Sequence, residues 1–516
     1  MTGLLSPNGP FDRAKTVAVI GAGISGVTSA AHLLKQGLQV TVFERSYTAS
    51  GVWQYDPRIP DDPSYPSEIP SIGDYQTSSA GQFSLGTPPP ETTSTLKQHR
   101  LSTKNDDALE ISFAPPTPCY AGLTNNVPTT TMVSSLAPWP EGTEEIIRHE
   151  VVAKYVQGIA FDYGVDDVTK YNTRVEQVTK SPDGKTWLVR TIRLEKRDVK
   201  PRIIEKLWQF DAVVVATGHY SLPRIPNVPG LKEWKKRYGD RVIHSKQYRD
   251  PELLRDKNVF IMGCGVSSLN ICQELEGVAK HVYQSARGGI WDLPVSMLGK
   301  NARRVGGIES FELPDDASNE KLDKSAPIPG TIVLKDGEVV SNLDQLILAT
   351  GYITSFPFLS DLHEDDKPAE DAGPRTLVTR EGNMTHNLHR DMFYIEDPTL
   401  AFIGVPYHNA TFSLFDFQAQ VVARVLAGKA QLPSRDEMRN EYEKRIEEKG
   451  VGRLFHSMIE EGAEQSYVQE LVDWVNKDAE RHGLEPMKGH TEPWLKAHKA
   501  HRQKRAAIRS GEPDAA

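Results

Sequence analysis

Three glycines, Gly21, Gly23 and Gly26, stand in G-x-G-x-x-G spacing, and a carboxylate, Glu44, follows 23 residues after the first. In that spacing the first glycine permits a tight turn, the second lets a pyrophosphate approach the backbone, and the third lets a helix pack closely on a strand. A helix beginning there, with Ser25 in its first turn, offers unpaired N–H groups and the positive end of its dipole to phosphate. Glu44 can accept hydrogen bonds from a ribose 2′-hydroxyl, so this site suits FAD or NAD, which have that hydroxyl free. A second turn repeats the chemistry with a different ending. Gly263 and Gly265 take the first two places, Ser268 the third, and Ser267 precedes it. The same 23 residues counted from Gly263 reach Ala286, between Ser285 and Arg287, and no carboxylate stands there. A guanidinium fork and hydroxyls match phosphate oxygens that an acid would repel, so the second site suits the 2′-phosphate of NADPH.

Both turns need the same scaffold. The run from Thr16 to Ile20 reads as a strand, Ser25 to Lys35 as a helix, and a second strand ends at Glu44. Val259 to Met262, Ser268 to Leu275 and Val282 to Gln284 repeat that order. Each set is a βαβ unit, the opening of a doubly wound parallel sheet. Each is followed by a buried-strand run, Asp211 to Tyr220 and Asp344 to Tyr352, that ends in the same Ala-Thr-Gly turn, at Thr217–Gly218 and Thr350–Gly351. Two strands ending in one turn type imply two chain crossings between domains. The expected fold class is therefore α/β, with two Rossmann-like dinucleotide-binding domains, the second inserted into the first, and a helical C-terminal extension. The expected divisions are residues 1–222 and 352–432 for the FAD domain, 223–351 for the NADPH domain and 433–516 for the extension.

The 516 residues leave room for about three domains at roughly 150 residues each. Lys and Arg number 60 against 69 Asp and Glu, a net charge of −9 that offers no general attraction to nucleic acid. Three cysteines, Cys119, Cys264 and Cys272, form neither a disulfide framework nor a C-x-x-C pair, which fits a reducing compartment. No stretch approaches the ~20 apolar residues of a membrane-spanning helix, and no signal-peptide pattern opens the chain, so a cytoplasmic protein is expected. Pro57 to Leu96 is rich in proline, serine and threonine and reads as a long loop. Lys496 to Arg509 is a basic run, read as a solvated helix end.

The order GAGISG, Glu44, GVW (Gly51 to Trp53), YAGLTNNVP, ATGHYSLP, HSKQYRD, GCGVSS and ATGY resembles the flavin-containing monooxygenases, class B flavoprotein monooxygenases, and their soluble fungal or yeast-like branch. The likeness runs from about Thr16 to Gly428 and leaves the tail uncovered. The family fingerprint F-x-G-x-x-x-H-x-x-x-Y reads YGDRVIHSKQY here, with His244 and Tyr248 in place. Tyr238 replaces the phenylalanine, glycine has moved to Gly239, and Ser50 stands at the first glycine of Gly-Gly-x-W. The similar Baeyer–Villiger monooxygenases carry tryptophan at the position of Tyr248, which favours oxygenation of a heteroatom over ring insertion.

The resemblance implies an NADPH-dependent, FAD-containing monooxygenase similar to N,N-dimethylaniline monooxygenase. FAD would lie along the first turn, with Glu44 and Arg45 at its adenosine end, Trp53 and Asn126 near the isoalloxazine, and Thr217 and Gly218 among its contacts. NADPH would dock at Gly263, Gly265, Ser267, Ser268, Ser285 and Arg287 and reduce the flavin. Dioxygen would then form a flavin hydroperoxide that an amine nitrogen or a sulfide attacks. Asn126 is the expected catalytic residue, since a carboxamide offers a donor and an acceptor without titrating near neutrality. The neighbouring Asn125 leaves the register open, as does an Asx turn before Pro128. His244 is expected to make a linker hydrogen bond rather than act as acid or base. Phe412, Phe415 and Phe417 read as core, and Asp416 and Gln418 match the family's acid-x-Gln pattern. No metal site is expected. The partners implied are a small amine or sulfur compound and O2, and the oligomeric state, a homodimer included, stays open. The alternatives are a Baeyer–Villiger enzyme, an NADPH-dependent flavin reductase or oxidase, a disulfide reductase, which the lack of C-x-x-C opposes, and a non-enzymatic flavoprotein.

Overall fold

The computed structural model describes residues 14–75, 97–100, 106–195, 202–289, 292–314, 323 and 326–510. The first βαβ unit is the strand Thr16–Ile20, the helix Ile24–Lys35 and the strand Gln39–Phe43. Its β-branched residues favour the strands, where Val17, Val19 and Val42 are fully buried. Thr16–Ile20 lies at the heart of a seven-stranded sheet, parallel to Gln39–Phe43 on one side and to Ala212–Val215 on the other. Ile20 pairs with both Phe43 and Val215, so Gly21, Glu44 and Ala216 leave the sheet side by side at its carboxyl edge. Ligands of doubly wound sheets bind at that edge. Leu400–Phe402 adds a further parallel strand beside Ala212–Val215.

The second unit is the strand Asn258–Met262, the helix Val266–Glu274 and the strand His281–Ser285. It belongs to a five-stranded, all-parallel sheet that also contains Val242–His244, Gln345–Leu348 and Ala302–Val305. Where the chain passes from one sheet to the other and back, Leu222–Pro223 pairs antiparallel with Tyr352–Ile353. The two crossings therefore run together as one two-stranded ribbon.

A four-stranded antiparallel sheet, built from Lys97–Arg100, Thr173–Lys180, Trp187–Glu195 and Arg202–Phe210, was not anticipated from sequence. Its signal is the alternation of apolar and polar residues in WLVRTIRLE, which is buried on one face.

The helix Thr411–Leu426 buries fourteen of its sixteen residues, including Phe412, Phe415 and Phe417. It packs on Ile24–Lys35 and, on its other side, against Val468, Leu471 and Val475 of the helix Ala463–Asn476. The extension is thus part of the first domain's core. Its basic helix, Glu492–Ser510, is anchored by the buried Trp494, whose indole N–H donates to the Thr131 carbonyl at 3.0 Å. No helix among the described residues is long and apolar enough to cross a membrane.

The loop expected from Pro57 to Leu96 is described as far as Tyr75; residues 76–96 lie outside the described residues. Its described part is a strap across both domains. Pro60 and Asp62 accept from Gln247, the Arg58 carbonyl accepts from Arg249, and Pro70 accepts from Ser355.

Candidate functional site

The two glycine turns are built alike. Gly21 has φ +103°, and a Cβ there would stand 2.6 Å from the carbonyl oxygen of Ala216. Gly263 has φ +109°, and a Cβ there would stand 2.5 Å from that of Ala349. Each Ala-Thr-Gly turn therefore closes over the first glycine of its own site. The repeated triplet marks the two turns as well as the crossings. Neither following helix has a side-chain cap at its N-terminus, where Gly23 and Gly265 stand, so its leading N–H groups have only a ligand or water to bond. The helix Arg435–Lys449, by contrast, is closed by a capping box of Ser434 and Glu437.

Glu44 is buried, and its two carboxylate oxygens accept from the backbone N–H of Ala22 at 2.7 Å and of Ser46 at 2.8 Å. Each oxygen keeps a lone pair for a ribose hydroxyl while the carboxylate braces the turn. The one-turn helix Gly51–Trp53 rests on Gly23, to which a Cβ at Gly51 would come within 2.7 Å. Trp53 then meets the ring of Phe412 edge-on at 6.5 Å. A path of packed groups thus leads from the first turn to the start of the helix Thr411–Leu426.

The neighbour of Glu44, Arg45, directs its guanidinium to Asp74 in two hydrogen bonds of 2.8 and 3.1 Å. Lys246 of the fingerprint segment reaches the same carboxylate at 2.8 Å. These two cations hold the Asp74 carboxyl well below the usual range although burial opposes them. Arg45 therefore ties the first domain through the strap to the fingerprint, a role its place beside Glu44 did not reveal.

Asn125 and Asn126 part company. Asn125 is buried, donates to the carbonyls of Val127 and Glu145 at 2.7 and 2.8 Å, and accepts from the Ile147 N–H at 2.6 Å. Asn126 is exposed, and its carboxamide has no hydrogen-bond partner among the described residues. The first asparagine builds the loop, and the second is exposed on it.

At the second turn Ser268 is fully buried and its hydroxyl accepts from the Gln284 amide at 2.8 Å. Ser285 donates to the Gly306 carbonyl at 2.8 Å. Both hydroxyls serve the fold, whereas Ser267 and Arg287 are exposed. A Cβ at Gly265 would meet nothing within 4 Å. Space is therefore kept in front of the second helix.

His244 makes the linker hydrogen bond its place in the chain led us to expect, from the strand Val242–His244 to Gly351 at the returning crossing. It is fully buried, its Nε2 lies 3.0 Å from the Gly351 carbonyl and its Nδ1 accepts from the Lys246 N–H at 3.0 Å. Burial pushes its pKa down to about 3, so it stays neutral and is no proton carrier. Tyr248 donates to Glu274 at 2.9 Å and meets Tyr120 edge-on at 5.4 Å. Glu274 ends the helix that begins at the second glycine turn, and a Cβ at Gly122 would strike its carboxylate. The Asn126 segment is thus wedged against the second domain. Glu274 and Asp74 escaped the sequence reading because neither belongs to a local motif.

A cleft opens at the carboxyl ends of Ala212–Val215 and Leu400–Phe402, lined by Thr217, Gly218, His219, Thr385 and Gly404 among others. Thr217 Oγ1 and His219 Nε2 are buried there without a partner, and burial pushes His219 down to about 4. Asp416 and Gln418 are structural. The carboxylate of Asp416 lies 3.0 Å from His32 and accepts from Ser134 and Ser135, and Gln418 accepts from the Gly404 N–H and donates to Tyr467. The three cysteines are free and buried, and burial pushes each thiol up to about 12.

The profile of flavin-binding monooxygenase-like proteins matches residues 115–299 and 328–481. The chain belongs to that family. A profile of FAD-dependent oxidoreductases matches residues 16–53, the first turn through Trp53. The flavin-containing monooxygenase ustF2 of Aspergillus flavus is 41% identical over 511 residues, covering 95% of this chain and 97% of that protein. Among solved structures, S-allyl-L-cysteine S-oxygenase from Allium sativum superposes with a TM-score of 0.65 at 24% identity, over 97% of this chain and 95% of that one. Cyclohexanone monooxygenase from Rhodococcus sp. Phi1, bound to NADP+, gives 0.54 at 13% identity, over 90% and 98%. These two likenesses speak for the fold. This flavin monooxygenase is an oxidoreductase with FAD as cofactor, and the residues fit it: an uncapped helix start, a buried acid that braces the turn, and beside it a buried threonine hydroxyl without a partner among the described residues.

Proposed function

We propose that this chain is an NADPH- and O2-dependent monooxygenase that oxygenates a soft heteroatom, an amine nitrogen or a sulfide sulfur, of a small molecule. FAD lies along the first glycine turn and NADPH along the second. Bound FAD supplies the redox chemistry, taking a hydride from NADPH and delivering one atom of dioxygen to the substrate while the other leaves as water. The protein's own work is to hold both nucleotides and to position the reacting groups. Glu44 binds the FAD ribose, and the uncapped helix starts hold the pyrophosphates. Arg287, exposed at the end of the strand His281–Ser285, reads the 2′-phosphate, with Ser267 on the second helix.

The observation that carries this reading is the pair of asparagines. Asn125 fixes the loop with three hydrogen bonds, and the free carboxamide of Asn126 stands on it as a preorganised donor and acceptor. The wedge of Tyr120, Tyr248 and Glu274 ties that loop to the NADPH helix, so the nicotinamide and the carboxamide are set by one interface. Three buried thiols with raised pKa support oxygenation over disulfide reduction, and as free cysteines they fit a cytoplasmic setting.

Asn126→Ala tests the reading. Loss of a positioned donor commonly costs ~10²–10³ in rate. Anaerobic bleaching of the flavin by NADPH should persist, while oxygenated product from a panel of amines and thioethers falls by about that factor and hydrogen peroxide replaces it. An unchanged ratio of product to NADPH consumed would remove Asn126 from the reaction. A wild-type enzyme that takes up no oxygen with NADPH and any of these compounds would overturn the activity.

A further inference from the structure

The segment Tyr407 to Ala410 joins the strand Leu400–Phe402 to the helix Thr411–Leu426 and lies outside every motif considered above. The extension holds it from one side. The Tyr407 N–H donates to the His456 carbonyl, and the Tyr407 carbonyl accepts from Met458 at 2.9 Å. His408 Nδ1 lies 2.9 Å from the Ser457 hydroxyl, and the Ala410 N–H donates to the Glu464 carboxylate at 3.0 Å. His408 itself has φ +63°, a left-handed backbone uncommon for a residue other than glycine. Asn409 lies between these anchors, and both its Oδ1 and its Nδ2 are buried with no hydrogen-bond partner among the described residues. A buried carboxamide left unsatisfied at both atoms is unfavourable, and a segment pinned on both sides of it cannot turn it to water.

The place of Asn409 narrows what it can bind. It precedes the uncapped N-terminus of a sixteen-residue helix by two positions, and that helix's second residue, Phe412, is the one that meets Trp53. Trp53 stands on the short helix that rests on the first glycine turn. The pyrimidine edge of an isoalloxazine presents an acceptor, a donor and an acceptor in a row, C2=O, N3–H and C4=O. A carboxamide pairs with two neighbours of that row, accepting from N3–H and donating to a carbonyl. The helix start adds positive potential where a reduced flavin gathers negative charge.

We propose that Asn409 binds the pyrimidine edge of the flavin and tunes its reduction potential, and that the C-terminal extension serves the site by holding Asn409 in place. The inference rests on FAD lying along the first turn, as put forward above. Two variants test it on the holoenzyme without NADPH or substrate: Asn409→Leu, close in volume but without polar atoms, and Asn409→Asp, which keeps the shape and adds a charge. Flavin release on dilution is followed by fluorescence, and the potential by equilibration with a reference dye. Asn409→Leu should weaken FAD binding about tenfold, the loss of one to two hydrogen bonds. Both variants should lower the potential, the aspartate more, because its charge opposes that of the reduced ring. Wild-type FAD affinity and potential in both variants would overturn the proposal. If Asn409→Leu does not fold, Asn409→Asp decides alone. Glu44→Ala is the control: should it release FAD while the Asn409 variants behave as wild type, this inference fails by itself, and if none of the three affects FAD, the placement along the first turn fails with it.

Discussion

At the scale of single residues, the two nucleotide sites differ by one substitution of chemistry. Glu44 ends the second strand of the first unit, and Ala286, flanked by Ser285 and Arg287, stands in the same place in the second. Since Ser285 bonds to Gly306, Arg287 is the exposed donor left at that strand end. Arg287→Ala should therefore raise the KM for NADPH and leave that for NADH unchanged, erasing most of the preference. Steady-state kinetics with both nucleotides measures it, and full discrimination in the variant would assign the 2′-phosphate to another cation. Glu44→Ala removes a charged acceptor from the ribose and from the Ala22 N–H together. Hydrogen bonds to charged groups are worth ~1.5–3 kcal/mol, so flavin should be lost from the purified variant on gel filtration, visible as a fall in the absorbance ratio of flavin to protein. Undiminished retention would contradict the role given to this acid.

Elements explain why the glycines of one motif have separate jobs. Gly263 cannot take a side chain, because its φ is positive and a Cβ would press on the Ala349 carbonyl. Gly265 can, since nothing lies within 4 Å of the place a Cβ would occupy. Gly265→Ala should accordingly leave the melting temperature and the flavin content unchanged while raising the KM for NADPH, because the methyl group fills space the pyrophosphate needs. An unaltered KM would mean that the nucleotide does not approach the second turn. This part of the molecule was readable from sequence because strand, turn, helix and strand follow one another within about 30 residues and each position has a local steric cause. What was hidden is what lies far apart in the chain. Asp74 meets Arg45 and Lys246, Tyr248 meets Tyr120 and Glu274, and His408 meets Ser457, and no periodicity announces any of these pairs. The buried turn serines also misled, because a hydroxyl beside a phosphate turn reads the same in sequence whether it faces the ligand or the core.

For the molecule as a whole, buried histidines at the junctions make its stability depend on pH. His244 sits between the crossings, His219 in the cleft beside them, and His386 and His389 in the segment that precedes the strand Leu400–Phe402. Burial holds His244 and His389 down to about 3 and His219 and His386 down to about 4, against an ordinary value near 6.5. Between those limits the unfolded chain binds protons at these sites and the folded protein does not, so stability falls as the pH drops from about 6.5 towards 4. Glu464 acts in the opposite sense. Burial raises it to about 7, so the folded state holds a proton that the unfolded chain releases above about 4.5, and this contribution favours folding at lower pH. Glu274, which burial also raises, acts in the same sense; these two carboxyls are set against the four histidines, and the depressed carboxyls of Asp74 and Asp391 add to the acid loss at still lower pH. The net expectation is a melting temperature that declines steadily from pH 7 to pH 5, measurable by differential scanning fluorimetry of the holoenzyme in buffers of equal ionic strength. Because His244 ties the strand Val242–His244 to the returning crossing at Gly351, His244→Gln should flatten part of that decline, as a glutamine can still donate to the Gly351 carbonyl but takes up no proton. A melting temperature that stays level from pH 7 to pH 5, or a decline that His244→Gln leaves untouched, would show that the junction does not govern acid stability.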